Sequence, residues 1–213
     1  MRTPLATFVI FSLCFVSSTI AAAQDKWPCI RVGEGEAASR IYAALDTIVD
    51  VNFQEAPLRD VIDALASKAQ IPIILDEKAL TESGIGTDTP VSIEAKQISF
   101  KAALKIFLGN LDLMFLVRDE VLQITTPDFA WRRQSTCLFN IAEIADSPEK
   151  IEQLTKILER KLSRPDSKRS SSLASFGNVL ILVGNYYDQD EVAEFLAALH
   201  KAQATVAEAP KTP

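Results

Sequence analysis

Few side chains in this chain are of the types that catalysis needs, and their spacing does not bring them together. His200 is the only histidine, and it lies near the end of a predicted amphipathic helix, where a cation complements the helix dipole. Cys137 would need a histidine base close by to act as a nucleophile, yet His200 belongs to a different predicted element. We therefore expect no catalytic residues and a protein that is not an enzyme.

Acidic residues form two groups that resemble fragments of known sites. Asp188 and Glu191 belong to a short acidic run, but a calcium loop needs more oxygen ligands and a turn glycine. We interpret this pair as an acidic variant of a helix capping box. The loop 76–89 places carboxylates around Gly84 and Gly86, but these glycines lack the Lys-Ser/Thr of a phosphate loop. We expect no metal and no cofactor.

The composition restricts the classes of partner. The chain has 213 residues, 48% of them hydrophobic and 23% charged, with a formal net charge of −6. This is the composition of a globular protein, with room for one large domain or two small ones. An acidic balance argues against a nucleic-acid groove, which needs clustered Lys and Arg.

The N-terminus has the pattern of a secretory signal peptide, residues 1–23. A weakly positive start precedes an apolar stretch over 5–16, and a run of alanines offers a cleavage point between Ala23 and Gln24. The alternative is an N-terminal membrane anchor, for which the apolar stretch is short. We expect an exported protein, periplasmic or extracytoplasmic, with no transmembrane segment in the mature chain.

Two cysteines, Cys29 and Cys137, remain after cleavage. An even number in an oxidising compartment predicts a disulfide. Because Cys137 lies on an apolar predicted strand, the alternative is a pair of unbonded thiols. The sequence leaves both possibilities open.

Hydrophobic periodicity divides the rest into two units separated by a linker. Alternation of apolar and polar residues predicts strands, and spacing of three and four predicts helices. The predicted organisation is an irregular segment at 24–45, a βαββαββ domain at 46–127, a linker at 128–135, a βαββα domain at 136–202 and a disordered tail at 203–213. The fold class is α+β, with two small domains that each pack two helices on one face of a small mixed sheet.

The same periodicity predicts a separate hydrophobic core in each unit. The first core is expected to contain Val51, Phe53, Val61, Leu65, Ile93, Leu104 and Phe107. The second is expected to contain Phe139, Leu154, Ile181, Val183, Phe195 and Leu196. We also expect Ser99 and Ser147 to cap helices, since serine favours that position.

Residues 46–127 resemble the short N-terminal domain of secretins and TonB-dependent receptors. The resemblance lies in the alternating strand Val49 to Gln54, the helix start Ala56-Pro57-Leu58, and the later pattern Val91-Ser92-Ile93. Residues 136–202 resemble, more loosely, the ring-building βαββα repeats that follow this domain in secretins.

The resemblance implies a non-catalytic interaction or assembly module of the bacterial envelope. The implied partner is another envelope protein or a second copy of the chain. The alternative is an envelope protein that binds a small ligand or a glycan at the seam between the domains, near Trp131.

The hairpin 113–125 is the candidate interaction surface of the first unit. If Leu113, Phe115 and Val117 face the core, then Met114 and Leu116 point outward and expose apolar side chains. The alternative is that the segment 24–44 or the second unit covers them.

Overall fold

The computed structural model of the protein describes residues 27–163 and 171–208. The predicted signal peptide, its cleavage point between Ala23 and Gln24, and the last residues of the predicted tail, 209–213, lie outside these ranges. Within them the α+β class is confirmed, since helices pack on small sheets in both units.

The predicted irregular segment begins with a short strand and a helix, β1 (Ile30–Arg31) and α1 (Glu36–Leu45). Strand β1 pairs antiparallel with Cys137 and Leu138 of the second unit. Helix α1 buries Ile41 and Leu45 in the core of the first unit. The N-terminal segment is therefore shared between the two units.

The first unit continues as a strand-rich layer covered by helices. Its elements are β2 (Ile48–Pro57), α2 (Leu58–Ala69), β3 (Ile73–Leu75), α3 (Glu77–Glu82), β4 (Pro90–Ser99), α4 (Phe100–Asn110), β5 (Met114–Arg118) and β6 (Val121–Thr125). Strands β2 and β4 form an antiparallel ribbon. Strand β6 pairs parallel with β3 and antiparallel with β5, which makes a mixed three-stranded sheet.

Local chemistry explains where these helices begin. The Ser99 side chain accepts a hydrogen bond from the backbone N–H of Ala102, so the predicted cap of α4 is confirmed. The buried faces of α2 and α4 then meet the sheets in one core, which includes Leu58, Val61, Leu104 and Phe107.

The second unit is a four-stranded antiparallel sheet packed against two helices. After the connecting helix α5 (Pro127–Arg132), its elements are β7 (Ser135–Asn140), α6 (Pro148–Leu162), β8 (Ser172–Phe176), β9 (Val179–Gly184) and α7 (Tyr186–Glu208). The strand order is β1-β7-β9-β8. Ser147 caps α6 as predicted, accepting from the backbone N–H of Lys150.

Three further segments predicted to lack regular structure are helical. Helix α3 lies in the predicted loop 76–89, where Asp76 accepts a hydrogen bond from the backbone N–H of Ala79 and so caps it. Helix α5 lies in the predicted linker and begins at Pro127, a residue suited to the first helical turn.

The third is the start of the predicted tail. Helix α7 continues through 203–208, and the Gln203 side chain donates a hydrogen bond to the carbonyl of Ile144. This hydrogen bond to the segment before α6 holds the C-terminal part of α7 in place. Without such a contact, the small residues there would leave the helix end frayed.

The predicted core of the second unit is wrong by one residue along β9. Leu180 and Leu182 are fully buried, whereas Ile181 and Val183 are half-buried on the opposite face. An uninterrupted apolar run has no alternation from which the buried face can be read. Phe195 is also half-buried and packs at the margin of this core.

In the first unit, Phe53 is half-buried rather than central. The register of β2 against β4 shifts between Phe53 and Ala56, and Glu55 has a positive φ of 47°. Such a bulge bends the strand and disrupts the ladder locally, and Phe53, which borders it, packs at the margin of the core. Val51 and Ile93 are buried as predicted.

Candidate functional site

The described residues, 27–163 and 171–208, contain no group of three or more His, Cys, Asp or Glu side chains that could hold a metal ion. His200 lies on α7, with Nε2 3.5 Å from Glu143 Oε2 and its ring edge-on to Trp27. The acidic run at the start of α7 has a structural role. Asn185, not Asp188, caps the helix, since its side-chain oxygen accepts from the backbone N–H groups of Tyr187 and Asp188.

Asp188 instead serves as a buried hydrogen-bond acceptor. Its Oδ2 atom accepts from Ser171 Oγ and from Asn185 Nδ2, each at 2.6 Å. This arrangement fixes the start of α7 against the residue that leads into β8. The capping box predicted for Asp188 and Glu191 is therefore wrong, because the cap lies three residues earlier.

Of the two hairpin side chains predicted to point outward, Leu116 is covered and Met114 is partly covered. Leu116 is buried, with 4% of its surface exposed, and Met114 is half-buried. Helices α1 and α5 both contact β5, and Tyr42 of α1 lies at the same small cavity as Leu116. The alternative of internal cover is the one that the structure shows for Leu116.

Trp131 does not lie at the seam between the two units. It is half-buried in a groove whose lining residues all fall between 79 and 132, in the first unit and in α5. The seam is built by other side chains, which the sequence did not single out.

The first part of the seam is a cluster of aromatic rings at the start of α7. Tyr186 and Tyr187 pack against Phe115, with ring centroids 5.5 and 5.8 Å away. The Tyr187 hydroxyl accepts a hydrogen bond from the backbone N–H of Phe115. Burial raises the pKa of the Tyr186 hydroxyl, and the nearby Asp190 carboxylate adds to this effect.

A cation lies over the same cluster from the N-terminal segment. The Arg31 guanidinium lies 3.8 Å from the centroid of the Tyr42 ring, which stacks on Tyr186. The Tyr42 hydroxyl donates to Glu34, and burial raises the pKa of both groups. The cluster therefore joins β1, α1 and α7.

The second part of the seam is a buried ion pair between α4 and α7. Lys101 Nζ lies 3.0 Å from Asp190 Oδ2, and the two side chains are 11% and 5% exposed. Lys101 also contacts Glu194, which is 53% exposed, and Lys105 contacts Asp190 at 3.3 Å. Charges held this deeply are costly to leave unpaired.

We predict that Lys101→Met lowers the free energy of unfolding by about 3 kcal/mol, because Asp190 stays buried with only the half-exposed Lys105 as its remaining ionic partner among these groups. Glu194→Gln is the matched control. It removes the other acid on the same lysine, but as an exposed partner this acid contributes less than about 1 kcal/mol. Urea titration of both variants measures the difference. Equal losses of unfolding free energy would show that the buried contact stabilises the protein no more than the exposed one.

An open sheet edge is the surface that sequence reasoning missed. Strand β8 ends the order β1-β7-β9-β8, so among the described strands it pairs only with β9. Phe176, its last residue, is 78% exposed. The signal in the sequence was a phenylalanine directly before the turn Gly177-Asn178, but its exposure depends on the order of the strands.

A cavity of about 490 Å³ lies beside this edge, between α6 and the turn that follows β8. Ile151 and Thr155 line it from α6, and Ser175 lines it from β8. Gly177 occupies the turn with a φ of +53°, a left-handed conformation that glycine adopts without strain. Among the described strands, the edge therefore combines backbone that pairs on one side only, an exposed aromatic side chain and a neighbouring recess.

Comparison with known proteins finds no matching family model and no matching curated protein. Solved structures do match. The N-terminal domain of the secretin XcpQ from Pseudomonas aeruginosa is 17% identical, with 72% of this chain and 66% of that one covered and a TM-score of 0.29. The InvG N0–N1 assembly with SpaPQR and PrgHK from the Salmonella SPI-1 injectisome is 13% identical, with 73% and 96% covered and a TM-score of 0.30.

A third match is the GspC–GspD complex of the type II secretion system of enterotoxigenic Escherichia coli. It is 12% identical, with 73% of this chain and 99% of that one covered and a TM-score of 0.27. The chain resembles secretin N-terminal domains. These identities lie below 25% and the TM-scores below 0.5, so the alignments transfer no partner and no activity to this chain.

No helix in the described part of the chain has the length and the apolar character needed to cross a membrane.

Proposed function

We propose that this chain is an exported, non-catalytic assembly module of a bacterial envelope, and that it joins a second copy of itself by strand addition at β8. The observation that carries the proposal is the open β8 edge with the exposed Phe176. Edge strands present N–H and C=O groups that accept another strand, and soluble proteins usually protect them with charge, proline or cover.

The hairpin geometry identifies which backbone groups are available. Strands β8 and β9 are joined by a two-residue turn, with Phe176 opposite Val179. The residues that flank such a turn exchange both hydrogen bonds, and the pattern alternates along the ladder. Leu173 and Ser175 therefore direct their N–H and C=O groups away from β9, toward an incoming strand.

A second copy is the proposed partner because the same sheet offers a complementary edge. Strand β1 lies at the opposite end of the sheet, where Ile30 within the strand and Val32 directly after it are 70% and 55% exposed. Pairing β8 of one copy with β1 of the next would extend one antiparallel sheet through both. Such a head-to-tail contact generates a ring if the rotation closes and a filament if it does not.

Export is supported by the N-terminal pattern at residues 1–23. It is also supported by the position of Cys29 and Cys137, whose Cα atoms are 6.0 Å apart, a separation suited to a disulfide. Disulfides persist in oxidising compartments such as the periplasm. A non-catalytic role agrees with the structural contacts of His200, which lies against Glu143 and Trp27, and of Asp188, which accepts hydrogen bonds from Ser171 and Asn185.

We predict that Ser175→Pro and Phe176→Lys each abolish self-association while leaving the melting temperature within a few degrees of the parent. Proline removes an outward N–H without breaking the ladder to β9, and lysine places a charge on the edge. Sedimentation velocity over a concentration series makes the measurement. Ile106→Lys is the control, because Ile106 is 50% exposed on α4 of the first unit. A parent protein that is monomeric throughout the series would overturn the proposed partner.

A further inference from the structure

A second groove, remote from the β8 edge, lies between α3, the turn after α4, and α5. Its volume is about 700 Å³, within the range of ligand-binding clefts. Ile85, Leu111, Phe129 and Trp131 form an apolar floor, and each of them is half-buried. The groove belongs wholly to the first unit and α5, so its occupancy does not depend on assembly through the second unit.

The charged residues around this floor are mostly acidic. Glu82, Asp112 and Asp128 line the groove, against the single basic residue Arg132. Arg132 lies at the limit of ion pairing with Asp128, 4.0 Å away, and both side chains are more than half exposed. An exposed pair of this kind neutralises little. The rim therefore favours an occupant that carries positive charge.

One ring of the floor, Phe129, already makes a cation–π contact, with a residue that does not itself line the groove. The guanidinium of Arg133, which follows α5, lies 4.8 Å from the centroid of the Phe129 ring. Arginine and lysine are attracted to aromatic faces at this range. Phe129 and Trp131 are two residues apart at the same groove, so this surface suits long basic side chains whose aliphatic stems pack on the rings.

We propose that the groove between α3 and α5 binds a short basic peptide segment of a partner protein, with an apolar side chain between Lys or Arg residues. The apolar residue would pack on Ile85 and Leu111, and the flanking cations would face the acidic rim and the aromatic rings. A cleft of this volume has room for several side chains, which favours a peptide over a single small cation.

The test uses a fluorescein-labelled heptapeptide of alternating lysine and leucine, with a glutamate-for-lysine peptide as its negative control. We expect the purified protein to bind the lysine peptide and not the glutamate peptide by fluorescence anisotropy, with a change in Trp131 emission that Trp131→Phe removes. Affinity should fall as salt is raised, since the rim charges are exposed. Failure to bind, or equal binding of both peptides, would overturn the proposal.

A triple variant that neutralises the three groove acids distinguishes peptide binding in the groove from general attraction of a basic peptide to an acidic protein. Glu82→Gln, Asp112→Asn and Asp128→Asn together should weaken binding at least tenfold. Asparagine suits position 112, where φ is +52°. The control triple Asp60→Asn, Asp63→Asn and Glu94→Gln changes the net charge equally at exposed sites elsewhere and should alter affinity less than twofold. Equal effects of the two triples would contradict the proposal.

Two further measurements identify the occupant. Phe176→Lys should leave peptide affinity unchanged, which separates this groove from the assembly edge. Sedimentation of the groove triple should match the parent protein. If this triple variant instead lost self-association, the groove would be the binding site of a second copy of the chain, and the assignment of a partner peptide would be wrong.

Discussion

Phe107→Ala is expected to lower the free energy of unfolding by about 3–5 kcal/mol. Phe107 is 1% exposed and lies on α4, in the core that joins α2, α4 and both sheets of the first unit. Truncation removes a ring that the neighbours cannot replace without moving, so the loss combines transfer free energy with a cavity. Urea titration monitored by circular dichroism measures it.

The matched control is Ile106→Ala, one residue earlier on the same helix. Ile106 is 50% exposed, so its truncation should cost less than about 1 kcal/mol, as surface substitutions usually do. Both changes end in alanine, and isoleucine and phenylalanine have similar helix propensities, so the two substitutions change helix propensity by similar amounts. Similar losses at the two positions would mean that the buried face of α4 is misassigned.

Reduction of a Cys29–Cys137 disulfide is expected to lower stability by about 4–5 kcal/mol in the chain-entropy model. The two cysteines are 108 residues apart, and the loop between them contains the whole first unit. Cross-linking so long a loop restricts the unfolded chain strongly. The measurement is urea unfolding with and without reductant.

The double variant Cys29→Ala with Cys137→Ala is the control. It should unfold at the same urea concentration with and without reductant, near the midpoint of the reduced parent. Titration of the denatured, unreduced parent with a thiol reagent should find no free thiol at these positions. Two free thiols would show that the cysteines are unbonded, which is the alternative that the sequence left open.

Local signals in the sequence predicted much of the fold. Alternation fixed the buried faces of Val51 and Ile93, and serine at the helix starts predicted the caps at Ser99 and Ser147. These features depend on residues a few positions apart, so a sequence pattern contains most of the information.

Features that depend on distant residues were not predictable in this way. The outward face assigned to Leu116 is covered because helices before and after the hairpin return to it. Strand β9 is apolar at every position from Val179 to Val183, and the pattern therefore does not distinguish Leu182 from Val183. The role of β1 as an edge strand depends on pairing across more than 100 residues.

The candidate sites show the same difference between local features and features that depend on distant residues. Trp131 was predicted to lie near the seam between the domains, but its position beside α3 follows from the packing of α5. The sequence signal for Phe176 was only its place before a turn, and the Lys101–Asp190 pair gave none, because exposure at an edge and charge pairing between units are properties of the assembled fold.

Hydrogen–deuterium exchange of the β8 amides over a series of protein concentrations tests the proposed assembly most directly. If β8 accepts a strand, the outward N–H groups of Leu173 and Ser175 become slow to exchange as concentration rises, because strand pairing protects them from water. The Phe176→Lys variant should show fast exchange at these amides throughout. Fast exchange in the parent at every concentration, under conditions in which sedimentation shows association, would contradict strand addition at β8.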